Sequence, residues 1–139
     1  MPSTAGVGDI VMTEGLLTRG VTTEFEITGS PGERLSLTAM LIPTNDAFFG
    51  VNTSLPAYGE VKVVGANAYD AGTEKNDELC ASIPGPSFTE CGGPGGGAEV
   101  GGGEGAVTVH RGIQGVGDFD ASVRDWRNPV ARVTIRKIS

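Results

Sequence analysis

The stretch Ala68-Tyr69-Asp70-Ala71-Gly72-Thr73-Glu74-Lys75-Asn76-Asp77-Glu78 limits what this chain can build more than any other. From Asp70 to Glu78 it sets four carboxylates and an asparagine in nine positions, broken by one glycine and placed just ahead of a cysteine. A run this charged is expected to be neither a core strand nor an ordinary helix. It reads as an oxygen-rich loop, and such loops suit hard cations, calcium above all. The plainer alternative is a loop whose acids are simply solvated. The twelve-residue pattern of an EF-hand is absent, and no helical pattern flanks the loop.

The rest of the chain reads as all-β. Val21, Thr23, Phe25 and Ile27 alternate with Thr22, Glu24, Glu26 and Thr28, which predicts a half-buried strand. Ser30-Pro31-Gly32-Glu33 reads as a turn. Leu35, Leu37, Ala39 and Leu41 alternate next, so 35–41 is expected to form a hairpin with 21–28. Pro43-Thr44-Asn45-Asp46 ends that strand, because Pro43 cannot donate to a ladder and Asn and Asp favour turns. Ala47–Val51 reads as a short buried segment, and 60–64, 106–111 and 130–138 as further strands. In the last of these, Ala131, Val133 and Ile135 are expected to point inward and Arg132, Thr134 and Arg136 outward. No strong helix and no internal repeat is visible. Residues 92–105 are Gly-rich and read as flexible.

With 139 residues, one domain is expected, made of an N-terminal tail or short first strand over 1–20 and a β-sandwich over 21–139. No window carries enough apolar residues to span a membrane. Met1 is followed by neither a charged nor an apolar leader region, so a secreted protein of this sequence would be a mature or trimmed form. The net charge of −7 argues against nucleic acid, which rewards a dense basic face. The charge is uneven. Seven acids and one base, Lys75, lie between Asp70 and Glu104, whereas Arg124, Arg127, Arg132, Arg136 and Lys137 face only Asp125 near the C-terminus. The first region could attract cations, and the second could pair with acids elsewhere or face an anionic surface.

Cys80 and Cys91 are eleven positions apart. A disulfide closing this loop is favoured over two free thiols, and it implies an oxidising compartment. Zinc is disfavoured, since two thiols and the single His110 fall short of four ligands. Asp118, Asp120 and Asp125 read as turn caps or as partners of Arg124 or Arg127. Trp126 reads as a packed anchor and His110 as a structural histidine. No nucleophile elbow, phosphate loop or base–nucleophile pair is visible, so no enzymatic activity is expected.

Several motifs together resemble one family. They are Met40-Leu41-Ile42-Pro43-Thr44-Asn45-Asp46-Ala47-Phe48, Tyr69-Asp70-Ala71-Gly72-Thr73-Glu74-Lys75-Asn76, Ile83-Pro84-Gly85-Pro86, Val109-His110-Arg111-Gly112-Ile113, and Asp125-Trp126-Arg127-Asn128-Pro129-Val130-Ala131-Arg132-Val133. In this order and spacing, over roughly residues 25–138, they resemble the bacterial branch of the spondin domain family. The resemblance implies a secreted, C2-like antiparallel β-sandwich with long Gly-rich and acidic loops, one calcium ion at a loop end, a role in adhesion, and no catalysis. It maps the metal acids onto Asp46, Asp70 and Glu74, where Glu74 stands in place of the family's usual Asp. Asn45, Asn76 and Asp77 are the residues expected to complete the shell. The resemblance also implies additional strands before the matched segment. Either Ile10–Met12 supplies a shortened one or the sheet edge is open.

The reading is therefore a secreted or cell-surface, calcium-binding module for adhesion or recognition of an extracellular protein or glycan. A structural subunit completed by strand exchange through an open sheet edge, and a calcium-dependent membrane-surface module, stay open as alternatives.

Overall fold

The computed structural model describes residues 6–97 and 101–139. The first five residues of the expected tail and residues 98–100 of the Gly-rich run lie outside the described residues. Eight strands and one short helix follow in the order β1 (Arg34–Met40), β2 (Ala47–Ser54), β3 (Val61–Ala66), β4 (Ala68–Asp70), β5 (Ser87–Phe88), β6 (Gly93–Pro94), β7 (Thr108–Val109), α1 (Ala121–Arg124) and β8 (Ala131–Arg136). All pairings between these strands are antiparallel. The fold is all-β and sandwich-like: a four-stranded sheet ordered β1-β2-β4-β7, a two-stranded sheet β3-β8, and a small β5-β6 ribbon.

The expected hairpin between 21–28 and 35–41 does not form. β1 pairs instead with the strand that follows it, from Arg34 opposite Ser54 to Met40 opposite Phe48. The reason lies in what each candidate partner can bury. β2 brings Ala47, Val51 and Thr53 into the interior, whereas every residue of 21–28 stays exposed. The turn before β1 does form, with the Glu33 amide donating to the Ser30 carbonyl at 3.1 Å. Ile10–Met12 is not a strand either.

Two further expectations are refined. The segment expected as a short buried run is the eight-residue β2, and the expected strand over 106–111 contracts to Thr108–Val109. The alternation in β8 is as expected, with Ala131, Val133 and Ile135 half-buried and Arg132, Thr134 and Arg136 exposed. The helix Ala121–Arg124 is a single turn capped by Asp120, whose side chain accepts from the Ser122 amide.

The sheets bury mainly small residues, among them Ala47, Ala66 and Ala68, each with no exposed surface. The aromatic part of the core lies among the loops instead. Ile83, Phe88, Ile113 and Phe119 form one buried cluster, and Ile42, Cys80, Cys91, Ala121 and Trp126 pack against it. Phe88 and Phe119 meet edge to face at 5.5 Å. The disulfide Cys80–Cys91 is formed, and Arg124 pairs with Glu90 at 2.6 Å. Among the described residues, no helix is long and apolar enough to cross a membrane.

Candidate functional site

The acidic stretch begins as a strand, not as a loop. Ala68–Asp70 is β4, an interior strand of the larger sheet, hydrogen-bonded to β2 on one side and β7 on the other. Asp70 is buried, with 5% of its surface exposed. The sequence expectation failed here because one charged residue at a strand end can be tolerated when its carboxylate is hydrogen-bonded. Asp70 Oδ1 accepts from the Gly72 amide at 2.7 Å, and Oδ2 accepts from Asn76 Nδ2 at 2.5 Å.

Register brings Asp46 to the same place. Ala47 is the partner of Asp70 across β2 and β4, so Asp46, one residue earlier, sits diagonally beside it. Asp46 Oδ2 accepts three hydrogen bonds: from the Thr73 amide at 2.7 Å, the Thr73 hydroxyl at 2.7 Å and the Glu74 amide at 2.9 Å. Burial raises the Asp46 pKa, but the Thr73 and Glu74 donors and a contact with Asp70 outweigh it and hold the group below its ordinary value. The other oxygen, Oδ1, is buried and accepts no hydrogen bond.

The six expected ligands divide into two groups. Asp46, Asp70 and Asn76 lie side by side, and Glu74 joins them through its backbone amide, which donates to Asp46. Asn45 and Asp77 pair with each other at 3.0 Å and serve the adjoining loop. Asn45 Oδ1 accepts from the Glu78 amide, while Asp77 accepts from the Leu79 amide and the Ser82 hydroxyl. Burial raises the Asp77 pKa, and the Leu79, Asn45 and Ser82 donors together with the charge of Lys75 bring it below its ordinary value. Among the described residues, no three His, Cys, Asp or Glu side chains form a ready metal cage. A cation here would draw on Asp46 and Asp70 and on neutral oxygens or water.

Four further residues support this site, none of them among the six expected ligands. Thr73 supplies two of the three donors to Asp46. His110 is buried near the acids, with Nδ1 accepting from the Gly112 amide at 3.0 Å and its ring tilted against Trp126, centroids 5.1 Å apart. Burial pushes the His110 pKa down against the raising influence of Asp70, Asp46, Glu78 and Glu104. Glu78, the one non-glycine residue with positive φ among the described residues, is buried and accepts from the Gln114 and Val116 amides.

The fourth is Gly103, in the run expected to be flexible. Glu74 bridges to Gly101 and Gly102, and the Gly105 amide donates to the Gly72 carbonyl at 2.9 Å. A Cβ on Gly103 would press into the Gly72 carbonyl and lie 2.7 Å from the Glu74 amide nitrogen. The glycine is needed for close backbone approach, so this part of the run braces the acidic loop.

The second acidic cluster serves turns. Asp118 Oδ2 accepts from the Cys80 amide and Asp120 caps α1, while Arg124 pairs with Glu90 and with neither Asp118 nor Asp125. Trp126 is half-buried against the core cluster, as expected for an anchor. No protein-family model, no curated protein and no solved structure matches this chain.

Proposed function

We propose that the chain is a secreted, calcium-binding β-sandwich module of the spondin type, used for adhesion or recognition. One observation carries the cation: Asp46 Oδ1 is buried without a donor while the same carboxylate contacts Asp70. A buried carboxylate and a half-buried one in contact repel unless a proton or a cation sits between them. The residues present fit a hard ion that takes oxygen ligands. Asp46 and Asp70 would hold it, and Asn76 Oδ1 could add a neutral oxygen.

The ion would screen the repulsion and tie the end of β4 to the loop before β2. Binding to the folded state alone raises stability by mass action. The disulfide supports an oxidising, extracytoplasmic location. The resemblance of the Asn45–Asp46 and Asp70–Glu74 segments to the spondin pattern supports the adhesive reading.

Thermal unfolding in excess calcium, in EDTA and in magnesium tests the site. A calcium-specific rise in Tm, lost in Asp70→Asn, is expected. An unchanged Tm in all three conditions refutes the cation.

A second reading has its own observation. Val21, Phe25 and Ile27 lie exposed in an unpaired segment, and β1 is an edge strand. Open edges and exposed apolar residues favour self-association. A concentration-dependent oligomer in light scattering would support that reading, and a monomer at high micromolar concentration would remove it.

A further inference from the structure

The basic residues near the C-terminus take no part in the acidic site, and most of them have no partner. Among the described residues the only ion pair is Arg124–Glu90. Arg127, Arg132, Arg136 and Lys137 are exposed and make no side-chain hydrogen bond or ion pair. Arg132 and Arg136 point outward from β8, four residues apart, which is about 13 Å along a strand.

Beside the start of β8 lies an open cleft of about 480 Å³. Arg19, Ser122, Asp125, Trp126, Arg127 and Pro129 line it. Arg19 comes from the N-terminal segment, at a turn in which the Val21 amide donates to the Thr18 carbonyl at 3.1 Å. It too has no acidic partner. The one acid in the cleft, Asp125, sets Oδ1 against the Cα of Gly112, where no Cβ would fit. Two unpaired guanidiniums and a hydroxyl therefore share a concave site with an indole and a proline ring, and β8, with its exposed bases, starts one residue after the cleft-lining Val130.

We propose that this cleft and the outward face of β8 bind a linear anionic polysaccharide carrying sulfate or carboxylate groups. Charge complementarity is the argument. In a chain of net charge −7, two unpaired guanidiniums, Arg19 and Arg127, line the cleft with one acid, and Arg132 and Arg136 stand exposed on the strand that follows it. Guanidinium forks match sulfate and carboxylate geometry. Trp126 and Pro129 offer apolar surface for the C–H face of a sugar ring, and Ser122 offers a hydroxyl. A flat bilayer cannot follow the surface into the cleft. A nucleic acid duplex rewards a denser and wider basic face than this stripe provides. The site is separate from the acidic loop and does not depend on the cation.

Trp126 is the only tryptophan, so its fluorescence reports on the cleft directly. The probe is a size-defined heparin oligosaccharide, titrated in EDTA at low ionic strength. A saturable change is expected, weakening as salt rises. Arg19→Ala/Arg127→Ala, two exposed substitutions, is expected to reduce affinity about tenfold or more, while Arg34→Ala, on the edge strand of the other sheet, leaves it unchanged. Arg19→Lys/Arg127→Lys, which keeps the charge but loses the fork, is expected to fall between them. The Tm of each variant, measured alongside, shows that the fold is retained. No response to the oligosaccharide overturns the proposal, as does undiminished affinity in the alanine pair. An equal response to duplex DNA or to anionic phosphatidylserine vesicles also overturns it, because charge alone would then account for binding. Because the titration is run without calcium, its failure and the failure of the cation site are read separately.

Discussion

Thr73 donates to the same oxygen of Asp46 twice, through its amide and its hydroxyl, each at 2.7 Å. One residue thereby orders the carboxylate proposed above as a cation ligand, and the second oxygen accepts no hydrogen bond. Thr73→Val removes the hydroxyl donor and keeps the shape. It is expected to cost about 1 kcal/mol in EDTA, the usual range for a hydrogen bond to a charged group being roughly 1.5–3 and this one being partly exposed. Chemical denaturation measures that cost. Thr73→Ser should restore it, and the calcium-induced rise in Tm should shrink in the valine variant and return in the serine one.

Gly103 and Gly97 lie in the same glycine-rich run but meet different surroundings. A Cβ at Gly103 meets backbone that cannot move aside, whereas a Cβ at Gly97 meets nothing within 4 Å among the described residues. Gly103→Ala should therefore destabilise by about 2–3 kcal/mol, the range for overpacking against rigid structure. Gly97→Ala should stay within about 0.5 kcal/mol of the parent. Equal effects at both positions in urea unfolding would show that the run does not brace the acidic loop.

The Cys80–Cys91 bridge closes a loop that carries Ile83 and Phe88, two of the four residues of the buried cluster. Replacing both cysteines by serine lengthens the reach of the unfolded chain and exposes the sulfur contacts with that cluster. A loss of about 2–3 kcal/mol is expected from loop entropy. Reduction of the parent protein should lower Tm by a similar margin, and a Tm insensitive to reductant would contradict this.

Acid should weaken the fold partly through Glu90. The Arg124 side chain holds this carboxyl down to about 2, from an ordinary 4.5. A carboxylate lowered in the folded state contributes stability that is fully present above its unfolded value and fades as pH falls through the folded one. The window therefore runs from 4.5 down to about 2. Glu90→Gln should flatten the stability profile across that window and cost about 0.5–1 kcal/mol at neutral pH, the range for a partly exposed ion pair. A profile identical to the parent's between those limits would mean the pair is not formed in solution.

Local pattern carried the β8 alternation, the turn at Ser30–Glu33 and the all-β class, because each depends on residues a few positions apart. It misplaced 21–28 because alternation states that a segment can be a strand but does not say which edge it will find. The choice between 21–28 and β2 as partner of β1 depends on burial elsewhere in the molecule. Cys80 and Cys91 were legible as a pair because they are close in sequence and alone.

The acidic site divides along the same line. The sequence by itself determined that Asp46, Asp70, Glu74 and Asn76 belong to oxygen-rich segments, since composition within a short window settles that much. Only the tertiary structure decided that Asp46 and Asp70 touch, that Asn45 and Asp77 are bound to each other, and that His110 lies near the acids. Those contacts are set by strand register and by backbone approach at Gly103, which join residues 24 to 40 or more positions apart and leave no periodic trace in a single chain.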